Sequence, residues 1–252
     1  MSELRKFSFS RYSTYNTCPR QYFYRYILKL DVFELQDEES PLTLGKAVHK
    51  AVQEGFEEAE KYYRQSQYGF KSFKLENNIF ALERWANELQ PKFKNTIKEM
   101  EVYNDWYIGY VDAYDPINQK IWDFKYTSLD KADKYKTSPQ VMVYADLMSD
   151  TYKAKELSYL LIPKPKAIKI KKTEIPFQFR ERYISEIYAQ EPLEVSVEYD
   201  DNVVKEVYDV SKYIMNIEPD INNFNPVRGG LCDRFCPYHH VCAKNGLTVF
   251  DT

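Results

Sequence analysis

The sequence predicts an α/β fold with a mainly helical N-terminal part, and three observations predict it. Apolar residues before position 100 recur at helical spacing, the period changes to that of strands near position 106, and helices then alternate with strands. Four cysteines frame the pattern, Cys18 near the start and Cys232, Cys236 and Cys242 near the end.

In order along the chain, residues 8–17 read as a helix capped by Ser8 or Ser10, and Pro19 opens a second helix to position 28. Residues 31–43 are acidic, contain proline and lack periodicity, so a loop is expected. Leu44, Ala47, Val48, Ala51 and Phe56 mark the apolar face of a helix over 44–64. Another helix fits 74–89, and Pro91 opens a further one to position 100. Residues 106–114 and 120–126 are rich in aromatic and β-branched side chains. The turn chemistry of Asp115-Pro116-Ile117-Asn118-Gln119 between them predicts a β-hairpin. Ser138 and Pro139 start a helix to 149. Strands are expected over 157–162, 168–177 and 195–199, and helices over 180–189 and 210–217. With 7 glycines and no low-complexity linker, one domain over 1–252 is expected. It comprises a mainly helical part (1–100), an α/β core (101–180) and a C-terminal part with the cysteine trio (181–252).

A net charge of −3 excludes a generally basic nucleic-acid coat, so any affinity for phosphate must be local. The densest basic segment holds Lys164, Lys166, Lys169, Lys171 and Lys172. It reads either as a solvated edge that resists strand pairing or as a DNA contact. Of the 23 tyrosines, Tyr12, Tyr15, Tyr22, Tyr24 and Tyr26 cluster at helical spacing, which favours packing over stacking on unpaired bases. No apolar run approaches the roughly 18 residues of a membrane span. The charged segment Met1–Phe7 has no signal-peptide core, so a cytoplasmic location, in a prokaryotic or phage-infected cell, is expected. In a reducing compartment, clustered cysteines read as metal ligands before disulfides.

The chemistry-bearing residues lie on the hairpin. Residues two apart on a strand share a face, so Asp123 and Lys125 project together and Phe124 points away. Asp112 lies on the preceding strand, where pairing can bring its carboxylate beside Asp123. Two hard oxygen donors suit Mg²⁺ or Mn²⁺, and a lysine beside them can offset charge building on a phosphate. Solvated charges at a strand end would show the same bare pattern. His49 lies on a helix from which it could reach the same metal, although a lone histidine there is also an ordinary structural residue. Gln140 and Tyr144, one helical turn apart, could touch the site from a further element.

Gly45…His49, Gly109-Tyr110-Val111-Asp112, Trp122-Asp123-Phe124-Lys125 and Gln140…Tyr144 recur in the order of the motifs of RecB-like nucleases of the PD-(D/E)xK superfamily, which the chain resembles over residues 8–242. Cys18-Pro19 with the trio is similar to the iron–sulfur subset, which includes CRISPR-associated RecB-like exonucleases and AddB-type nuclease domains. The resemblance implies a restriction-endonuclease-like core with a central mixed sheet. It also implies Mg²⁺ or Mn²⁺ dependence, a 4Fe–4S cluster tying the C-terminal segment to the N-terminal helices, and DNA-end cleavage. A site at the sheet edge requires the strand to be threaded in, so an exonuclease acting on single-stranded or frayed ends is expected. By position, His49, Asp112, Asp123 and the Phe124 carbonyl would bind metal, Lys125 would be catalytic, and Gln140 and Tyr144 would support the site. Two features depart from the family: three residues separate Cys232 from Cys236 where two are commoner, and Asp123 stands where the CRISPR-associated members have Glu. Residue chemistry alone leaves zinc open for the cysteines, with His239 or His240 as a fourth ligand. The alternative function is an accessory subunit that binds DNA ends or a partner such as a helicase, a recombinase or a CRISPR integration complex.

Overall fold

The computed structural model describes residues 6–30, 41–66, 73–166, 170–229, 232 and 236–244. In chain order its elements are β1 (Phe7–Ser8), α1 (Phe9–Thr17), α2 (Pro19–Tyr22, continued by a π-helical turn Phe23–Ile27) and α3 (Pro41–Glu54). Then come α4 (Phe56–Ser66), α5 (Phe73–Leu89), β2 (Ile97–Tyr103), β3 (Tyr107–Asp115) and β4 (Lys120–Thr127). After these follow α6 (Asp133–Lys136), α7 (Gln140–Met148), β5 (Glu156–Pro163), α8 (Pro176–Tyr188), β6 (Leu193–Val197), α9 (Asp201–Asn216) and α10 (His239–Lys244). No helix among the described residues is long and apolar enough to cross a membrane.

The chain gathers into two compact units, each assembled from separate stretches of sequence. One draws on Met1–Leu35, Tyr103–Gly109 and Asp201–Thr252, the other on Gln36–Val102 and Tyr110–Asp200.

The larger unit is built on a mixed sheet. β3 pairs antiparallel with β4, β4 parallel with β5, and β5 antiparallel with β6, while β2 also pairs with β3. The parallel β4–β5 step needs a crossover, which carries α6 and α7. Helix α7 buries Val141, Met142, Val143, Tyr144, Ala145, Leu147 and Met148, as a helix that is apolar all round must. On the other face, Phe124 and Tyr126 of β4 join Ala47, Val48 and Ala51 of α3, Leu82 and Trp85 of α5, and Phe179 and Tyr183 of α8 in one core. Each large apolar side chain so buried contributes roughly 1.5–3 kcal/mol.

The smaller unit has an aromatic core. Tyr22 stacks on Phe224 at 6.0 Å with 13° between the rings, and Tyr15 meets the edge of Phe224 at 6.3 Å. Tyr24 packs on Tyr238 and Tyr107 on Tyr208. Strand β1 runs parallel to the start of β3, Phe7 opposite Tyr107. Tyr22 and Tyr24 are buried, and Tyr12, Tyr15 and Tyr26 are half-buried among these rings, as the packing reading expected.

Several expected boundaries are corrected. The helix over 44–64 is two helices broken at Gly55, whose φ of +99° no other residue adopts without strain. The first of them starts at Pro41, inside the expected loop, of which 31–40 lie outside the described residues. Pro91 opens a turn rather than a helix: Lys92 N–H donates to Leu89 O, Thr96 N–H to Phe93 O, and β2 follows. The burial of Met100 and Val102, alternating with exposed neighbours, is the strand signal that the proline reading overrode. The strand over 168–177 is absent among the described residues of that range, and 167–169 lie outside them. There Lys171–Glu174 forms a turn that Arg182 of α8 grips by the Glu174 carboxylate, and Pro176 begins α8. Helix α9 starts nine residues earlier than position 210, with Val204, Val207, Ser211 and Ile214 on its buried stripe. Ser8 precedes α1 without a side-chain capping bond.

Candidate active site

The ladder between β3 and β4 opens where the acidic residues stand. Its last pair on that side is Ala113 opposite Trp122. One step further, Asp112 turns its carboxylate to the neighbouring strand, and Oδ2 accepts the Phe124 N–H at 2.5 Å. That bond satisfies the Phe124 amide at the opening, and it holds Asp112 beside Asp123. From α3, His49 brings Nδ1 to 3.4 Å of Asp112 Oδ1, and its ring meets Phe124 edge-on at 5.9 Å.

Asp123 is almost wholly buried, with 3% exposed. Lys125 Nζ lies 2.5 Å from Asp123 Oδ2, and among the described residues that oxygen accepts no hydrogen bond beyond this ion pair. Lys125 Nζ also donates to Gln140 Oε1 at 3.1 Å, and Gln140 Nε2 donates to the Tyr144 hydroxyl at 2.8 Å. The expected residues from α3, β3, β4 and α7 thus form one connected network.

Burial pushes the Asp123 carboxyl up to about 6; Lys125 pulls it down and Asp112 adds to the rise. For Lys125, burial works against the charge, but Asp123 outweighs it and the ammonium holds its proton more tightly than usual. His49 behaves alike: burial lowers its pKa, the bond to Asp112 and the charges of Asp112 and Asp123 raise it, and the net direction is up. A buried carboxylate beside a second one has too little positive charge around it, and a divalent cation would supply what is missing. The donor set of carboxylate oxygens, one imidazole and a main-chain carbonyl suits Mg²⁺ or Mn²⁺. Among the described residues, no three His, Cys, Asp or Glu side chains stand close enough to one point to hold an ion. His49 and Asp112 bond each other, so binding an ion requires both to turn.

A cleft of about 630 Å³ opens over this network, with Lys46 and His49 of α3 on one wall and Lys125 and Tyr126 on the other. Sequence reasoning missed two of its residues. Gln53, one turn beyond His49 on the same helix face, donates to Glu99 Oε1 at 2.6 Å and to Asp112 O at 3.4 Å. Its spacing from His49 was a usable signal. Glu99 sits in β2 at φ +49°, a conformation that side chains rarely adopt, and nothing in its sequence neighbourhood marks it. Tyr159 of β5 was also missed: its hydroxyl shares a hydrogen bond with Ser138 Oγ at 2.7 Å and accepts Val141 N–H, which fixes the start of α7 under Lys125.

Of the basic segment, Lys164 is half-buried, Lys166, Lys171 and Lys172 are exposed, and Lys169 lies outside the described residues. The four cysteines are free and half-buried, in the smaller unit. Burial raises the thiol pKa values of Cys236 and Cys242; charge on the other three cysteines adds to the rise at Cys236, and charge on Cys232 and Cys18 adds to it at Cys242 against the pull of Arg20. Cys18 Sγ accepts the Val227 N–H at 3.4 Å. Cys18 and the trio thus share one compact unit, although 214 positions of sequence separate Cys18 from Cys232.

No curated protein matches the chain. The family model of the PD-(D/E)XK nuclease superfamily matches residues 6–243, which covers every element described above except the last residue of α10. Nucleases of this superfamily hydrolyse nucleic acid with the help of a divalent metal, the chemistry to which the paired carboxylates and lysine are suited. The chain belongs to the PD-(D/E)XK nuclease superfamily.

Proposed function

We propose that the protein is a metal-dependent DNA exonuclease of the RecB-like iron–sulfur group, acting at single-stranded or frayed ends. The observation that carries the reading is the network joining His49, Asp112, Asp123 and Lys125 under one cleft. The cleft's volume is that of a small-ligand pocket, which favours a strand threaded in over a duplex laid across.

His49, Asp112, Asp123 and the Phe124 carbonyl would hold the ion. Bound there, Mg²⁺ or Mn²⁺ supplies Lewis acidity at the phosphoryl group and lowers the cost of ionising water. Lys125, kept protonated by Asp123, faces the charge that develops on the phosphate. Gln140 accepts from Lys125 and is held in turn by Tyr144, so the ammonium is aimed before substrate arrives. Buried surroundings make each of these charges count for more than it would in water.

The four cysteines suit a 4Fe–4S cluster by donor type, since all are soft and free and lie in one compact unit; their described positions do not gather three donors round one point, so binding would draw them together. Zinc accepts the same thiolates. A site of three cysteines with His239 or His240 would leave Cys18 no reason to stand there.

Purified protein with Mg²⁺ or Mn²⁺ should degrade end-labelled linear DNA and leave circular single strands intact. Cutting of circular strands would refute end dependence. Binding without turnover under either metal would favour the accessory subunit of a helicase, recombinase or CRISPR integration complex.

A further inference from the structure

Two lysines at the end of the catalytic strand have no carboxylate ion-pair partner among the described residues. Lys164 follows β5, and its N–H donates to Thr127 O at 3.0 Å, so the main chain is pinned to the last residue of β4. Its ammonium lies 5.1 Å from the centre of the Tyr126 ring. Tyr126 follows Lys125 and lines the cleft. The Lys164 side chain is half-buried; burial, and then the charge of Lys131, loosen its hold on its proton. Lys131 ends the 3₁₀ turn Leu129–Lys131, just beyond β4, and is exposed. Asp130, next to Lys131, is fully exposed and bonded by the Ser128 hydroxyl, and it lies in the field of Lys131 and Lys166. Water screens so exposed a carboxylate.

Two like charges anchored beyond the end of one strand, one by the bond to Thr127 and one by the turn that follows it, disfavour the folded chain when one is partly out of water, unless an anion joins them. The aromatic face under Lys164 keeps that charge in place without neutralising it. An arrangement of this kind beside a nuclease cleft is suited to phosphate. We infer that Lys164 and Lys131 form a phosphate-binding subsite that grips the nucleic-acid strand next to the scissile position. The inference rests on the nuclease reading for the identity of its anion, and it deepens that reading by placing the strand's exit beyond Tyr126.

The phosphate has two possible sources. A backbone phosphodiester carries one negative charge, and a terminal monophosphate carries about −1.5 to −2. Two ammonium groups match the terminal group better.

The test uses the full-length protein in chelator and fluorescence anisotropy with short labelled single strands bearing a terminal phosphate or a terminal hydroxyl, and with a circular strand. Lys164→Met keeps the aliphatic cover over Tyr126 and removes the charge. Lys131→Met removes the other charge at an exposed position where folding is not at stake, and Lys94→Met, another exposed lysine, controls for net charge. Each of the first two variants should weaken binding about tenfold and lower the dependence of log K on log salt by about 1. Lys164→Arg should restore affinity. With metal added, KM should rise and kcat should hold, because the subsite binds ground and transition states alike. A loss confined to phosphorylated ends assigns the subsite to the terminus; an equal loss on the circular strand assigns it to the backbone, and either supports the inference. Parent-like binding by Lys131→Met and Lys164→Met, or an equal loss in Lys94→Met, overturns it. A lysine-dependent grip without cleavage under Mg²⁺ or Mn²⁺ would sink the nuclease reading and leave the subsite standing. A parent that binds no strand overturns both.

Discussion

Asp123 holds the least comfortable charge among the residues under the cleft. Its carboxyl is buried, has Asp112 for a neighbour, and leans on Lys125 with a lesser pull from His49. Because the folded group binds its proton more tightly than an unfolded aspartate, its contribution to stability is complete below the ordinary Asp range and is lost as pH rises through about 6. The chelated protein should therefore gain stability from this group between pH 7 and pH 5. Metal competes for the same oxygens, so Mn²⁺ affinity, read by titration calorimetry, should fall as pH drops through about 6, approaching tenfold per unit below it. Affinity that stays flat from pH 7 to pH 5 would remove Asp123 from the ligand set. Asp123→Ala and Lys125→Ala should each cut the rate of DNA degradation by about 10²–10³-fold, with circular dichroism unchanged. Parent-like rates in either variant would overturn the assigned roles.

At the scale of elements, the joint between α3 and α4 carries the consequence. Gly55 N–H donates to the carbonyls of Lys50 and Ala51, and Ala59 N–H donates back to Gly55 O, so one residue of positive φ bonds to both helix ends. A Cβ there would meet nothing within 4 Å, so Gly55→Ala tests backbone strain alone. It should lower stability by roughly 1–2 kcal/mol in urea denaturation. A neutral result would mean the joint relaxes freely and does not hold α3 in place. The turn before α8 depends on charge instead. Arg182 bonds both oxygens of Glu174 and holds its carboxyl down at about 2, well below the Glu range. A depressed acid stabilises above its unfolded pKa and loses that effect as pH falls toward the folded value. Parent and Glu174→Gln should thus differ in melting temperature at pH 6 and converge as pH falls toward about 2. A difference that persists there would point to shape rather than charge.

Across the whole molecule, neither unit is a continuous piece of chain. The smaller one joins the first thirty-five residues to the last fifty-two through the strand segment Tyr103–Gly109, and its cysteines come from both ends. Contacts between such distant stretches form late, because closing long loops has an entropic cost. A cluster held by Cys18 and the trio would act as a staple across that gap. Anaerobically purified protein should be brown, with roughly four irons per chain. Cys18→Ser should lose most of the iron and melt at lower temperature. A colourless preparation with stoichiometric zinc would replace the cluster with the other thiolate metal, and full iron retention in Cys18→Ser would exclude Cys18 from the site.

The hairpin, the alternation of helix and strand after it, and the group Asp112, Asp123, Lys125, Gln140 and Tyr144 were legible in the sequence. Strand period and turn residues are local properties, and these side chains lie at strand and helix spacings that bring them together. The break at Gly55, the strand after Pro91, and the parts played by Gln53, Glu99 and Tyr159 were not. A glycine or proline limits backbone angles without choosing between a cap, a turn and a helix start; neighbours from elsewhere in the chain make that choice. The same holds for the buried carboxylate of Asp123 and for the ammonium groups of Lys131 and Lys164, which have no ion-pair partner among the described residues. Their charges are written in the residue types, but how far each is removed from water, and from any opposite charge, depends on packing that brings remote segments together.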